Sequence, residues 1–233
     1  MTGLQPCRLG QVHPKPVPSA LMALDHLGRG VAKLLLNIAL VNLCPAGKVC
    51  AQELSASGLR LSVLPLGRAD AVEALTEGRA DLALGFIWDL PDTIMGDPLY
   101  EETFLVTDLP QALPDAPLVS LDAYCAADHV LISPAGGLRG VVDDRLAAMG
   151  RSRTITLGLP AFLPALAAVV SSGALLTLPA RLAQGLASGF GLVTATPPLE
   201  VFRFPVSVFW HRRNSADPRT IWLRDELVQV LNL

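Results

Sequence analysis

Lysine disappears early in this chain. Lys15, Lys33 and Lys48 all lie in the first fifty of 233 residues, and beyond them arginine alone carries positive charge. Aromatic residues make up only 5%, which excludes a stacking platform for single-stranded nucleic acid. Charged residues are also sparse at 17%, and the net charge is −3, a balance unlike that of a nucleic-acid coat or a polybasic membrane binder. Four cysteines (Cys7, Cys44, Cys50, Cys125) and four histidines (His13, His26, His129, His211) never fall in CxxC, HExxH or CxxCH spacing. Zinc, haem and thioredoxin-like redox chemistry therefore lack a ligand set. There is no P-loop, no GxSxG and no GxGxxG opening a helix, so neither a cofactor nor a catalytic residue is predicted. No apolar run approaches the roughly 18–20 residues that span a bilayer. The longest, 34–44, is broken by Asn37 and Asn42.

What is present is a 51% hydrophobic chain, rich enough in apolar residues for a sizeable core and long enough for one large or two small domains. The first fifty residues set three lysines, Arg8 and Arg29 against the single acid Asp25, while the remainder sets thirteen arginines against twenty acids. Pro14, Pro16 and Pro18 alternate and favour an extended segment. Three readings of this start remain open. Residues 1–30 form a poorly ordered leader or remnant linker; or the segment from Leu34 onward is a strand and helix of the body; or Arg29 and Lys33 precede the apolar region of a secretory leader cleaved near Val49-Cys50-Ala51.

From residue 59 the pattern alternates short strands and helices. Strands are predicted at 59–64, 81–85, 103–107, 129–133, 154–159, 175–178, 192–195 and 206–210, and one at 34–40. Helices are predicted at 69–77, stopped by Gly78; 120–127, capped by Ser120; from the glycines after Pro134 to Met149, stopped by Gly150; 164–172, stopped by Gly173; and one after Pro179. A last helix starts at Asp217-Pro218. It is expected to bury Ile221, Leu223, Leu227, Val230 and Leu231. Alternating strand and helix with proline-rich breaks at 109–117 and at Pro197-Pro198 fits two α/β lobes joined by two crossings.

Five phrases in order carry a resemblance: LRLSVLPLGRADAVEALTEGRADLALGF, DPLYEETFLVT, HVLISPAGGLRGVVDDRLAAMG, TITLGLPAFLPALAAVVSSGALLTLPARLA and FPVSVFWHRRNSADPRTIWLRDEL. Together they cover about three quarters of the chain and resemble the effector-binding domain of LysR-type transcriptional regulators, most of all those responding to aromatic compounds and flavonoids. The resemblance implies a two-lobed fold like that of type II periplasmic binding proteins, each lobe a small mixed sheet flanked by helices. Lobe I is expected at 31–107 plus 199–233 and lobe II at 108–198. It further implies a cytoplasmic sensor that forms homo-oligomers and binds an aromatic or carboxylate effector between the lobes, with no membrane association. DNA would be contacted only through a winged helix-turn-helix, whose pattern the first thirty residues do not show.

Carried onto this sequence, the family's pocket falls on Asn42 after the first strand, Leu66 after the second, and Phe86 and Ile87 after the third. In lobe II it falls on Ser133, Gly136 and Gly137 at a strand end leading into a helix, on Phe162 before the next helix, and on Thr196 near the return crossing. An apolar pair at a strand end suits an aromatic ligand, and the glycines let backbone N–H groups come close to an anion. Each of these residues has a plainer alternative as core or turn. His129 reads as structural. Asp143 and Asp144 read as acids favoured by a helix dipole, and Glu101 and Glu102 face opposite sides of a strand. A secreted solute-binding protein of the same fold is the alternative function; an enzyme on this fold would need a cleft acid that the sequence does not offer.

Overall fold

A computed structural model describes residues 31–36, 60–64, 68–87, 89–110, 119–134 and 136–231. The expected leader, 1–30, lies outside these residues.

Two five-stranded sheets organise the chain. The first contains β1 (Val31–Leu36), β2 (Arg60–Leu64), β3 (Leu82–Gly85), β4 (Ile94–Glu102) and β10 (Phe204–His211), in the order β2-β1-β3-β10-β4. The second contains β5 (Phe104–Asp108), β6 (Asp128–Ile132), β7 (Thr154–Leu159), β8 (Leu175–Pro179) and β9 (Val193–Ala195), in the order β7-β6-β8-β5-β9. Within each sheet three strands run parallel: β1 with β2 and β3, β6 with β7 and β8. A strand that has just crossed over enters antiparallel: β5 against β8 and β9, β10 against β3 and β4. Both sheets are therefore mixed, as the family resemblance implied.

The first crossing corrects one expectation. The strand read at 103–107 and placed with lobe I is β5, and it is hydrogen-bonded in the second sheet. The chain changes lobe at Thr103, between β4 and β5. Of β4 only the end at Glu101 and Glu102 was read as strand. Gly96 and Pro98 interrupt its apolar pattern, and a sheet accepts proline there because β4 is an edge strand.

Strand alternation divides each core into two faces. In lobe I, Leu82 and Leu84 of β3 and Val206, Val208 and Trp210 of β10 pack under α6 (Pro218–Leu231), against Trp222, Leu223, Leu227 and Leu231. Ala83 and Phe209 point the other way, onto α1 (Arg68–Glu77), where Ala71, Ala74 and Leu75 supply the buried stripe at helical spacing. Gly78 ends α1 at φ +74°, and Arg213 donates to the carbonyls of Leu75 and Thr76 at 2.7 and 2.8 Å.

In lobe II one face carries α2 (Leu121–Ala126) and α3 (Val141–Ala148), whose Tyr124, Val142 and Leu146 pack on Val106 and Leu175. The opposite face carries α4 (Phe162–Ser172) and α5 (Ala180–Leu186), whose Leu166, Val169 and Leu182 pack on Val130, Leu176 and Leu178. Ser120 caps α2 by accepting from Ala123 N–H at 3.1 Å. Gly173 ends α4 in the left-handed region, as its sequence position predicted.

Candidate functional site

Parallel β6 and β7 end side by side, and each feeds a helix. Ser133 follows β6, and its N–H donates to the carbonyl of Leu159, the last residue of β7, at 2.7 Å. The chain then turns sharply: Gly136 N–H donates to Ser133 O at 3.0 Å, with Gly136 at φ +82°. Only glycine takes that conformation without strain. The turn lies directly against β7. A methyl group at Gly158 would stand 3.0 Å from Leu138 Cδ2 and 3.3 Å from Gly137 O. Phe162 opens α4 three residues beyond Leu159, half-buried against the α4/α5 core. Four of the nine expected residues, Ser133, Gly136, Gly137 and Phe162, are thus brought to one end of the lobe II sheet.

The other expected residues disperse. Phe86 follows β3 and joins a ring cluster at the crossings. Its centroid lies 5.4 Å from Phe204 and 6.5 Å from Phe202, and Phe104 is 5.4 Å from Phe204 and 6.3 Å from Phe202. Ile87 packs in the α1 core with Ala71 and Leu75. Thr196 is exposed just past β9. Asn42 and Leu66 lie outside the described residues. A cavity of about 550 Å³ opens between α3 (Val141, Asp144, Arg145, Ala148) and Glu200, Val201 and Phe202 of the second crossing. None of the nine residues lines it; Phe202 alone connects it to the ring cluster.

A buried polar network supports the turn, and sequence reasoning missed its centre. Arg153, its side chain 1% exposed, donates from Nε and Nη2 to the two oxygens of Asp143 at 2.8 and 3.1 Å. It also donates from Nη1 to the Tyr124 hydroxyl at 2.8 Å. Asp143 in turn accepts from the N–H of Gly140, at the end of the glycine segment, at 2.7 Å. Burial pushes the Asp143 carboxyl upward, but the Arg153 guanidinium outweighs it and holds the group below the usual carboxylate range. His129 is fully buried, and its Nε2 donates to Tyr124 O at 2.7 Å. Its Nδ1 faces Arg153 Nη1 at 3.4 Å and so accepts. Burial, reinforced by that cation, pushes His129 down to about 4. It is a neutral structural imidazole, as the sequence implied. Arg153, just ahead of β7, was not singled out because its partner Asp143 sits on α3, with no local signature.

Glu102 is 2% exposed while Glu101 faces solvent, the opposite orientation expected of strand neighbours. Burial raises Glu102 above the ordinary carboxylate value, partly offset by N–H bonds from Thr103 and Arg181. Among the described residues no group of three or more His, Cys, Asp or Glu side chains is arranged to hold a metal, and no helix is long and apolar enough to cross a membrane.

Two mixed sheets linked by two crossings, each flanked by helices, define a two-lobed fold of the periplasmic-binding-protein kind. Residues 54–232 match the LysR substrate binding domain, and the chain belongs to that family of effector-binding, non-enzymatic domains. It is 34% identical over 171 residues to the HTH-type transcriptional regulator LinR of Sphingobium indicum, covering 72% of this chain and 56% of that protein. The chain thus spans little more than half the length of that curated relative. The regulatory domain of MexT, a transcriptional activator in Pseudomonas aeruginosa, superposes with a TM-score of 0.74 at 25% identity, covering 87% of this chain and 98% of that one. HinK, a LysR family regulator from the same organism, shares the fold at a TM-score of 0.69 and 17% identity, covering 91% and 75%.

Proposed function

We propose that this chain senses a small aromatic carboxylate in the gap between its lobes and so controls transcription in the cytoplasm. The observation that carries this reading is the convergence of Ser133, Gly136, Gly137 and Phe162 at the C-terminal ends of β6 and β7. There, a backbone turn offers polar contacts beside one aromatic ring. In this reading Phe162 packs on the ligand ring, and the 133–137 turn meets the carboxylate. The ligand acts by binding one lobe arrangement better than another, the only way it can shift their populations. The relatives are transcriptional regulators, which favours a sensor over a secreted carrier. Self-association, and DNA contact through a helix-turn-helix of the kind LinR's name records, belong to the same reading.

A thermal-shift screen tests it, using aromatic carboxylates and their matching amides. A cognate acid at a hundred times its Kd is expected to raise Tm by roughly 5–10 °C. Phe162→Ala is expected to weaken that acid about tenfold, the order expected for losing one apolar ring contact. If Phe162→Ala responds to every acid as the natural protein does, the reading fails.

A further inference from the structure

The junction between the lobes has a directional side-chain contact beside its first crossing. α5 begins at the first crossing: Ala180 N–H donates to the carbonyl of Thr103, the residue where the chain changes lobe, at 2.9 Å. One residue further on, Arg181 reaches back from lobe II into lobe I. Its Nη1 donates to Leu231 O at 2.6 Å, and its Cζ stands 3.8 Å from the centroid of the Tyr100 ring on β4. Leu231 is the last residue of α6, where carbonyls have no partner inside the helix and the macrodipole favours a cation. The C-terminal cap of a lobe I helix is therefore a lobe II side chain. Glu102, buried on β4, accepts from the backbone N–H of Arg181 at 3.4 Å and from Thr103 at 2.9 Å, which ties the start of α5 to the same pivot.

We propose that Arg181 is an interlobe latch that sets the resting angle between the lobes. Any rotation of lobe II about Thr103 carries the guanidinium away from Tyr100 or turns it off line from Leu231 O, and a hydrogen bond weakens steeply off line. The planar fork of arginine stacks on a ring and donates in its own plane at once, so both contacts are held together. On the other flank the rings of Phe86, Phe104, Phe202 and Phe204 are in contact, and Arg145 of α3 donates to the carbonyl of Glu200 on the second crossing itself at 3.1 Å. Arg181 differs from both in bonding one lobe directly to a helix end of the other. The inference rests on the two-lobed fold and stands whether or not an aromatic acid binds.

The test is a distance distribution by pulsed electron resonance between spin labels at Asp92→Cys in lobe I and Ser171→Cys in lobe II, both exposed positions. The full chain is used, with its four natural cysteines replaced by serine. Arg181→Met, which keeps the apolar stem but neither contact, is expected to broaden the distribution. The population outside the parent's range should rise about fivefold, equivalent to roughly 1 kcal/mol. Arg181→Lys, which keeps a cation and a donor, is expected to recover part of the narrow distribution, and Tyr100→Leu to broaden it less than Arg181→Met. A lower Tm with an unchanged distribution in Arg181→Met would mean that the residue merely stabilises α6, and the latch is refuted. Should Arg181→Met fail to fold by circular dichroism, Tyr100→Leu decides in its place, and an unchanged distribution there refutes the latch as well.

Discussion

At the scale of single residues, the most telling feature is a histidine that resists taking a proton. His129 has one nitrogen committed to a carbonyl and the other facing a guanidinium, and its folded value near 4 lies well under the ordinary 6.5. Between those values the unfolded chain binds a proton that the folded chain refuses, so stability falls as pH drops from about 6.5 towards 4. The full loss is about 3 kcal/mol. Urea melts at pH 7 and pH 5 should show this fall in the natural protein and a smaller one in His129→Gln, which does not titrate; equal falls in both would refute it. Arg153 sits beside the same ring and governs an effect of similar size. Removing it leaves Asp143 charged and largely buried, which costs about 3 kcal/mol. Arg153→Met should therefore lose far more stability than Arg153→Met combined with Asp143→Asn, in which the Gly140 N–H keeps its acceptor and no bare charge remains. Denaturant midpoints of the two variants make the comparison.

Elements were legible where punctuation and periodicity agreed. The strand at 154–159 coincides with β7, and Ser120, Gly78, Gly150 and Gly173 mark helix ends where expected. Their residue types act through local backbone geometry, which a sequence displays. Most of β4 and the sheet membership of β5 were not legible: one is an edge strand carrying a proline, and the other pairs with β8 and β9, about seventy to ninety residues away. The last helix buries Leu223, Leu227 and Leu231 as read, and Trp222 as well, but leaves Ile221 only half-buried; the side chain of Val230 lies outside the described residues. In the candidate site, the placement of Ser133, Gly136, Gly137 and Phe162 at strand ends was legible. Gly158 was missed because its role is to let a loop from the neighbouring strand approach. Gly158→Ala should therefore push on the 137–138 backbone, lowering stability by about 1 kcal/mol and ligand affinity further than stability accounts for. Gly185→Ala, on an open stretch of α5 with nothing within 4 Å, should instead raise stability by about 0.5–1 kcal/mol. Thermal melts of the two alanines, with ligand titrations beside them, separate a packing glycine from a merely helical one.

At the scale of the whole molecule, the two crossings make the lobes one mechanical unit. Each lobe has its own double-faced core, so neither depends on the other for burial, and the junction is free to set geometry. Phe202 occupies a telling place in it: 48% exposed, edging the cavity along α3, and in ring contact with Phe86 of lobe I and Phe104 of lobe II. Since about half of its surface is already in water, Phe202→Ala should cost only about 1 kcal/mol of stability. It removes, however, the one ring that touches both sides from outside the sheets. Small-angle scattering of the free protein should then show a larger radius of gyration than the parent, with the Tm lowered by only a few degrees. A parent-like radius together with a large loss of Tm would make Phe202 an ordinary core residue and leave the orientation of the lobes to Arg181 and the chain crossings.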